Sequence, residues 1–155
     1  MKPVWIGAIA ALLGGCTSTQ TMRASADTII LQTSAAPACG QQGAARVAEQ
    51  MAALETLKAG YDRYIILGAD GQNNVSASLM PGTFHTTGTV RGGWVNTSTV
   101  YTPGPVIYSG SHDQGLVVKM IHDNDPNAAF AISARNILGP KWQEKLKAGA
   151  INTCL

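Results

Sequence analysis

The sequence has few charged residues, which make up 13% of the chain and leave a formal net charge of only +2. Nucleic-acid-binding proteins need a dense basic surface, but here 11 Lys and Arg residues face 9 Asp and Glu residues. The composition therefore argues against a nucleic-acid partner.

The N-terminal apolar run is too short to cross a bilayer. It extends from Pro3 to Leu13, is interrupted by Gly7 and falls short of the roughly 20 apolar residues that a transmembrane helix needs. A single cation, Lys2, precedes it. This layout is typical of a secretory signal peptide that is removed on export, and we expect residues 1–15 to form one.

Catalytic signatures are also missing from the sequence. There is no G-x-S-x-G elbow, and Ser109-Gly110-Ser111-His112 lacks the strand-to-helix context of such a nucleophile. The glycines near 68–71 and 92–93 match neither a phosphate loop nor a dinucleotide fingerprint, so turns account for them better. We therefore expect no enzyme activity and no cofactor.

The sequence does contain a specific motif at the end of the apolar run. Leu13-Gly14-Gly15-Cys16 resembles the lipobox of bacterial lipoproteins, in which an aliphatic and two small residues precede an acylated Cys. The resemblance implies cleavage between Gly15 and Cys16, lipidation of Cys16 and attachment to a membrane by several acyl chains, since one chain binds weakly. The alternative is an ordinary signal peptide cleaved at Ala24-Ser25-Ala26.

The residues after Cys16 bear on the destination of the protein. Thr17 and Ser18 stand where an Asp would be expected in a lipoprotein kept at the inner membrane. By resemblance to outer-membrane lipoproteins, the sequence implies a lipid-anchored protein of the cell envelope, most simply at the outer membrane and facing the periplasm.

The cysteine count is odd, but lipidation of Cys16 leaves Cys39 and Cys154 as an even pair. In an oxidising compartment, the sequence predicts that this pair forms a disulfide. Two separate thiols are the alternative, because the sequence does not show whether the two Cα atoms come within reach.

The rest of the chain is long enough for one domain. Residues 16–26 are small and polar without periodicity, which predicts a flexible tether, and residues 27–155 are expected to form a single domain. Within the domain, the sequence predicts a strand at 28–33, a helix from about residue 44 to Gly60 and a continuously apolar, buried strand at 63–67. This order favours a crossover unit with the two strands as parallel neighbours, although an α+β arrangement without adjacency is the alternative.

A Gly-, Thr- and Pro-rich insertion occupies about residues 75–111. Segments 83–89, 94–101 and 106–108 are either short strands of a hairpin or parts of a long mobile insertion. Trp94 and Tyr101 either form an exposed recognition surface or cover a small sheet.

The C-terminal part has clearer signals. Residues 116–121 are predicted to be a strand, and Asp125-Pro126 indicates the start of a helix whose apolar side includes Phe130 and Leu138. Residues 141–148 are predicted to form a last short helix capped by Gly149. The expected fold is α/β or α+β, with about four to six strands, one main helix and short C-terminal helices.

One segment carries a family resemblance. The sequence from Ala52 to Asp62, a helix end with Gly60 that leads into an apolar strand, resembles small uncharacterised proteobacterial envelope lipoproteins. The similarity covers about a third of the chain. It implies the envelope location and the strand-helix-strand core, and it brings no catalytic residues with it.

The histidines are weak candidates for a metal site. Each of His112 and His122 is followed directly by an Asp, Asp113 and Asp123, and imidazole and carboxylate groups bind zinc. However, adjacent residues on a strand point in opposite directions, and the spacing matches no known ligand signature. We expect no metal, and these four residues are the candidates if one is bound.

These observations favour a non-enzymatic envelope lipoprotein with a structural, assembly or sensing role. Its partners would be the membrane, through the lipid, and an envelope protein or the cell wall. The alternatives are a periplasm-facing hydrolase or metal-binding protein that uses His112 and His122, and an accessory subunit of a secretion or surface apparatus.

Overall fold

The computed structural model describes residues 16–154, which form an α+β fold. The predicted signal peptide at 1–15, including Gly15, lies outside the described residues. The strands are β1 Thr17–Arg23, β2 Thr28–Ala35, β3 Arg63–Asn73, β4 Ser76–Leu79, β5 Thr83–Arg91, β6 Trp94–Thr102, β7 Val106–Ser109, β8 His112–Ile121 and β9 Ile132–Ser133. The helices are α1 Gly40–Lys58, α2 Ala134–Leu138 and α3 Trp142–Ala148, with 3-10 turns at Pro37–Cys39 and Ala128–Phe130.

Five strands form the main sheet, in the order β1-β2-β8-β3-β9, and every neighbouring pair is antiparallel. Two separate two-stranded ribbons, β4 with β7 and β5 with β6, lie between β3 and β8 in the chain. The segment from β3 to β8 is therefore one long hairpin. Its two ends belong to the main sheet, and its middle does not.

Helix α1 covers one face of the main sheet because its apolar residues recur at helical spacing. Val47, Met51 and Leu54 are buried, and so are the alanines between them, which let the helix approach the strands closely. The helix ends before Gly60, whose φ of +87° is one that glycine adopts readily. The predicted helix is confirmed, although it begins earlier, at Gly40.

The core lies between α1 and the alternate residues of β2 and β8. Ile29 and Leu31 pair with Val118 and Leu116, and all four side chains are buried under the helix. The side chain of Tyr64, on β3, is fully buried beside them, and burial raises the pKa of its hydroxyl. The buried residues, which alternate along the strands and recur every three or four residues along the helix, thus form one apolar layer.

The predicted disulfide is present. Cys39 and Cys154 are bonded, with their Cα atoms 5.7 Å apart. Cys39 immediately precedes α1, so the bond holds the C-terminal end of the described chain against the start of the main helix. The confirmed pair agrees with the even number of cysteines left after Cys16.

The flexible tether predicted for residues 16–26 is wrong over most of its length. Thr17–Arg23 forms β1, which pairs with β2 over residues 29–35. Thr17 is buried, and the hydroxyls of Thr19 and Thr33 lie 2.9 Å apart. These tertiary contacts order a segment that has no local apolar pattern.

The expected parallel neighbours are also not adjacent. Strand β8 lies between β2 and β3 and is antiparallel to both, as in the α+β alternative. The prediction of burial on both faces at 63–67 is wrong as well, because Ile66 and Leu67 are exposed beside a bulge between Ile66 and Gly68. A hairpin joins β3 to β8, and the two strands pair with each other. Strand β8 therefore occupies the place beside β3 that β2 would take in the predicted crossover unit.

The C-terminal predictions have a mixed outcome. The long helix expected after Asp125 is wrong, because only a 3-10 turn and the five-residue α2 form there, and Phe130 is 85% exposed. Asp125 does accept a hydrogen bond from the backbone N–H of Asn127, at 2.8 Å. The last helix is confirmed as α3, with Gly149 in the left-handed conformation at its end.

Candidate functional site

The most unusual feature of the molecule is a two-stranded projection, which we call the arm and define as residues 75–110. It contains β4 to β7, and every residue of these four strands is exposed. This outcome supports the hairpin alternative for the insertion. It also places Trp94 and Tyr101 on the surface, 83% and 51% exposed, and not over a small core.

The arm reverses direction at a tight turn that needs glycine. Arg91 pairs with Trp94, so only Gly92 and Gly93 connect the two strands. Their φ values are +55° and +86°, as in the two-residue turns that match the twist of a hairpin. Arg91 and Trp94 consequently form the tip of the arm.

The distal half of the arm, β5 with β6, has two different faces because side chains alternate along each strand. On one face, the rings of Phe84 and Tyr101 lie 4.8 Å apart, and Val90 pairs with Val95 near the tip. Threonines lie between these two pairs. The other face carries mainly hydroxyl and amide groups, such as Thr87 opposite Ser98 and Thr89 opposite Asn96, and it also carries Val100 and, at the tip, Trp94. The first is called the apolar face below.

The base of the arm is held by a small hydrogen-bond network. Asp113 accepts a hydrogen bond from the Ser34 hydroxyl at 2.7 Å and one from the Asn74 side-chain amide at 2.6 Å. The backbone N–H of Asn74 donates to the carbonyl of Ser111 at 2.9 Å. Hydrogen bonds from Ser34, Ser111 and Asn74, and the nearby His112, hold the pKa of Asp113 below its ordinary value.

We predict that Asp113→Ala loosens the base of the arm without unfolding the domain. Loss of two side-chain hydrogen bonds to a charged acceptor is expected to cost about 1–2 kcal/mol. Hydrogen exchange at the backbone amide of Asn74 should therefore be about five- to thirtyfold faster. The matched control is Asp70→Ala, on the same face of the main sheet as Asp113, for which no change at Asn74 is expected.

The same network gives a pH dependence of known sign. Because the pKa of Asp113 is lower in the folded than in the unfolded chain, its contribution is complete above the unfolded pKa of about 3.9 and decreases as the pH falls through the folded value. The arm base of the native protein should therefore loosen in acid, whereas that of Asp113→Ala should respond less. An equal response in both proteins would contradict this role of Asp113.

Cys16 and the arm lie at the same end of the strands of the main sheet. The row of paired residues at this end of the sheet crosses four strands and contains Thr17, Ala35, His112 and Asn73. Cys16 is exposed, directly precedes Thr17, and its carbonyl accepts a hydrogen bond from the Ala36 N–H. With strands about 4.8 Å apart, Cys16 is only about 10 Å from the start of β8, where the arm rejoins the sheet.

A polar depression of about 390 Å³ lies on the face of the sheet opposite α1, next to the base of the arm. Its lining includes Gln20, Gln32 and Gln72 together with Asp70 and Asp113. These amides and carboxylates can form hydrogen bonds. The Ser34–Asp113 pair within it does not resemble an activated nucleophile, because a carboxylate of lowered pKa is a poor general base.

The four weak metal candidates are not brought together. His112 begins β8 and His122 follows its end, so about 30 Å of extended strand separates them. Asp123 is paired with Arg63, and Asp113 is engaged by Ser34 and Asn74. Within residues 16–154, no group of three or more His, Cys, Asp or Glu residues is placed to hold a metal ion.

His122 instead belongs to a charged cluster at the opposite end of the strands, where β8 ends. Its ring stacks on Tyr61, with centroids 4.6 Å apart, and its Nδ1 lies 3.6 Å from Asp62. Arg135 donates to the other oxygen of Asp62 at 3.0 Å. These contacts connect α2 to the end of β8, so the residues of the cluster have a structural role.

Comparison of the chain with protein-family models, with curated proteins and with solved structures finds no match. Among residues 16–154, none of the helices combines the length and apolar character that spanning a membrane requires.

Proposed function

We propose that this protein is a non-enzymatic lipoprotein of the cell envelope, anchored through Cys16, that contacts another envelope component through the arm. The observation that carries the proposal is that Cys16 and the arm lie at the same end of the strands of the main sheet. Because β1 begins directly after Cys16, the anchor leaves little slack between lipid and domain. The base of the arm is therefore held close to the membrane surface.

The composition of the arm supports a role in contact. An isolated two-stranded hairpin is only marginally stable in water. None of the described residues in the four strands of the arm is buried, yet the apolar face exposes Phe84, Val90 and Val95, each more than 65% accessible. Exposed apolar side chains of this density on a projecting element are typical of interaction sites.

The disulfide supports the compartment. Bonds of this kind persist outside the reducing cytosol, and the Cys39–Cys154 bond is formed in the folded domain. Together with the lipobox and the residues after Cys16, it favours the outer membrane on its periplasmic side. A structural, assembly or sensing role suits a domain whose largest group of exposed apolar side chains is on the arm.

Deletion of the arm tests this proposal. In the test variant, residues 75–110 are replaced by two glycines that join Asn74 to Ser111, which already share a backbone hydrogen bond. Both proteins are extracted from membranes in mild detergent, and the mass of each complex is measured by sedimentation. The native chain should sediment in a complex larger than a monomer, whereas the armless chain should be monomeric, still membrane-bound and still disulfide-bonded.

A matched control keeps the arm but changes its tip. Arg91→Lys retains the charge and the turn, so its complex should have the native mass. Equal masses for the native and armless chains would overturn the proposed role of the arm, and absence of both proteins from the membrane fraction would overturn the anchor.

A further inference from the structure

We propose that the component bound by the arm is the arm of a second copy of this chain. The β6 edge of one copy would pair with the β5 edge of the next, giving a continuous antiparallel sheet. This inference rests on the proposed function, since it identifies the partner of the same arm. It is carried by the edges of the arm, by its side-chain pattern and by the shared anchoring of neighbouring copies.

The edges of the distal ribbon have unused hydrogen-bonding capacity. Within residues 16–154, β5 and β6 pair only with each other, so each strand has one outer edge. The pair Arg91–Trp94 closes the turn and is hydrogen-bonded, and the ladder then alternates. The residues whose backbone groups point outward are Phe84, Thr86, Gly88 and Val90 on β5, and Val95, Thr97, Thr99 and Tyr101 on β6.

These edges lack the devices that usually prevent strand pairing. Exposed edges are normally protected by charged side chains, especially Lys, by proline or by bulges. From Thr83 to Thr102 there is no Lys, Asp, Glu or Pro, and Arg91 at the tip is the one residue with a permanent charge. The β5–β6 register is also continuous over all nine pairs, without a bulge.

The side-chain pattern fits a neighbouring copy better than an unrelated strand. When β6 of one copy lies beside β5 of the next in matching register, the apolar faces of both ribbons continue on the same side of the sheet. Phe84 and Tyr101 then meet their counterparts, and so do Val90 and Val95. The arm contains no Asp or Glu that could attract a basic partner or repel an acidic one.

The size of one contact limits its strength, which favours an assembly that uses both edges. Each edge offers nine residues of the distal ribbon and four of the proximal one. At about 3.3 Å per residue and a sheet thickness of about 10 Å, this is roughly 430 Å² per edge. One such contact therefore buries only about half of the roughly 800 Å² per partner of a standard interface, so a single pair of copies should associate weakly. An assembly in which every copy uses both edges doubles the area buried per copy, and so the assembly should exceed a dimer.

Anchoring favours the same arrangement. Copies attached through Cys16 share one orientation and are concentrated at the membrane, which raises the effective concentration of one arm for the next. Because each arm leaves the sheet beside its own anchor, the arms of neighbouring copies are directed to the same side. Where an arm touches lipid, its open backbone groups make strand partners on both edges still more favourable.

The test compares two double variants of the full chain purified from membranes in mild detergent. Thr86→Pro/Thr97→Pro removes one outward N–H from each edge and leaves the inner ladder intact, since proline is tolerated on edge strands. Thr86→Ala/Thr97→Ala changes the same side chains but keeps both N–H groups. Native mass spectrometry should give complexes of three or more copies for the native chain and the alanine variant, and monomers for the proline variant.

A second measurement needs no variant of the arm. Native chains carrying two different affinity tags are produced together, and one tag is used for purification. Co-purification of the second tag with the native arm, and its loss in the armless chain, supports pairing between copies.

Three results would overturn this inference. They are a native chain that is monomeric in mild detergent, a proline variant that assembles as the alanine variant does, and an arm-dependent complex that contains one copy of this chain with a different protein. The third result would leave the proposed function standing, whereas an armless chain in the native complex would overturn both.

Discussion

Replacing both Cys39 and Cys154 with Ser is expected to lower the free energy of unfolding by about 4–5 kcal/mol, measured by urea denaturation at neutral pH. The bond closes a loop with a sequence separation of 115 residues. In the chain-entropy model, such a loop restricts the unfolded chain by roughly this amount. Because this is a large part of the stability of an average domain, the serine variant should be partly unfolded at 37 °C.

The structure indicates where the loss is felt first. Cys154 packs against the core cluster, and the carbonyl of Ile151 accepts a hydrogen bond from the Thr17 hydroxyl. Release of the C-terminal segment should therefore loosen β1 as well as α1. The control is Cys16→Ser, which leaves the bond intact and should unfold at the native urea concentration. A loss below about 1 kcal/mol in the double serine variant would contradict the entropic account.

Cys16→Ser is expected to transfer the protein from the membrane fraction to the soluble fraction almost completely. Lipid chains contribute about 0.8 kcal/mol per buried methylene, so several chains hold the protein far more tightly than any exposed patch of the domain. Serine has no thiol to acylate. Membrane fractionation followed by immunodetection measures the change.

The matched control is Ser18→Ala, two residues further along the exposed face of β1. It leaves the lipobox resemblance unchanged and should remain in the membrane fraction. Both variants keep the Cys39–Cys154 bond and the core, so circular dichroism should be native for each. A Cys16→Ser protein that stays in the membrane fraction would show that something other than the predicted lipid holds it.

Elements with a strong local pattern were predictable from the sequence. Helix α1 has apolar residues at helical spacing, and the predicted parts of β2 and β8, 28–33 and 116–121, are mostly β-branched and apolar residues of strand length. The disulfide followed from the cysteine count and the expected compartment. In each case, the determinants lie in one short segment or in a single pair of residues.

Elements that depend on distant partners were not predictable. Strand β1 has few apolar residues, and its order comes from pairing with β2. The place of β8 between β2 and β3 depends on a hairpin that spans residues 63–121. Propensity and periodicity do not report such non-local pairing, and so the parallel crossover was the wrong choice between the two arrangements.

The candidate site was predictable only in part. The Gly92-Gly93 turn between β-branched runs indicated a hairpin, but a mobile insertion was an equal alternative. The network of Ser34, Asn74 and Asp113 was missed because its members come from three separate segments of the chain. The two His-Asp pairs attracted attention through their sequence proximity, although His112 and His122 lie at opposite ends of β8.

Mass spectrometry of the non-reduced native protein, purified from membranes, tests the central claim most directly. The account predicts a mature chain that begins at Cys16, carries acyl mass on that residue and contains the Cys39–Cys154 linkage. A mature chain that begins near Asp27 without lipid would contradict the account, because β1 and the anchor beside the arm would then both be absent from the mature protein.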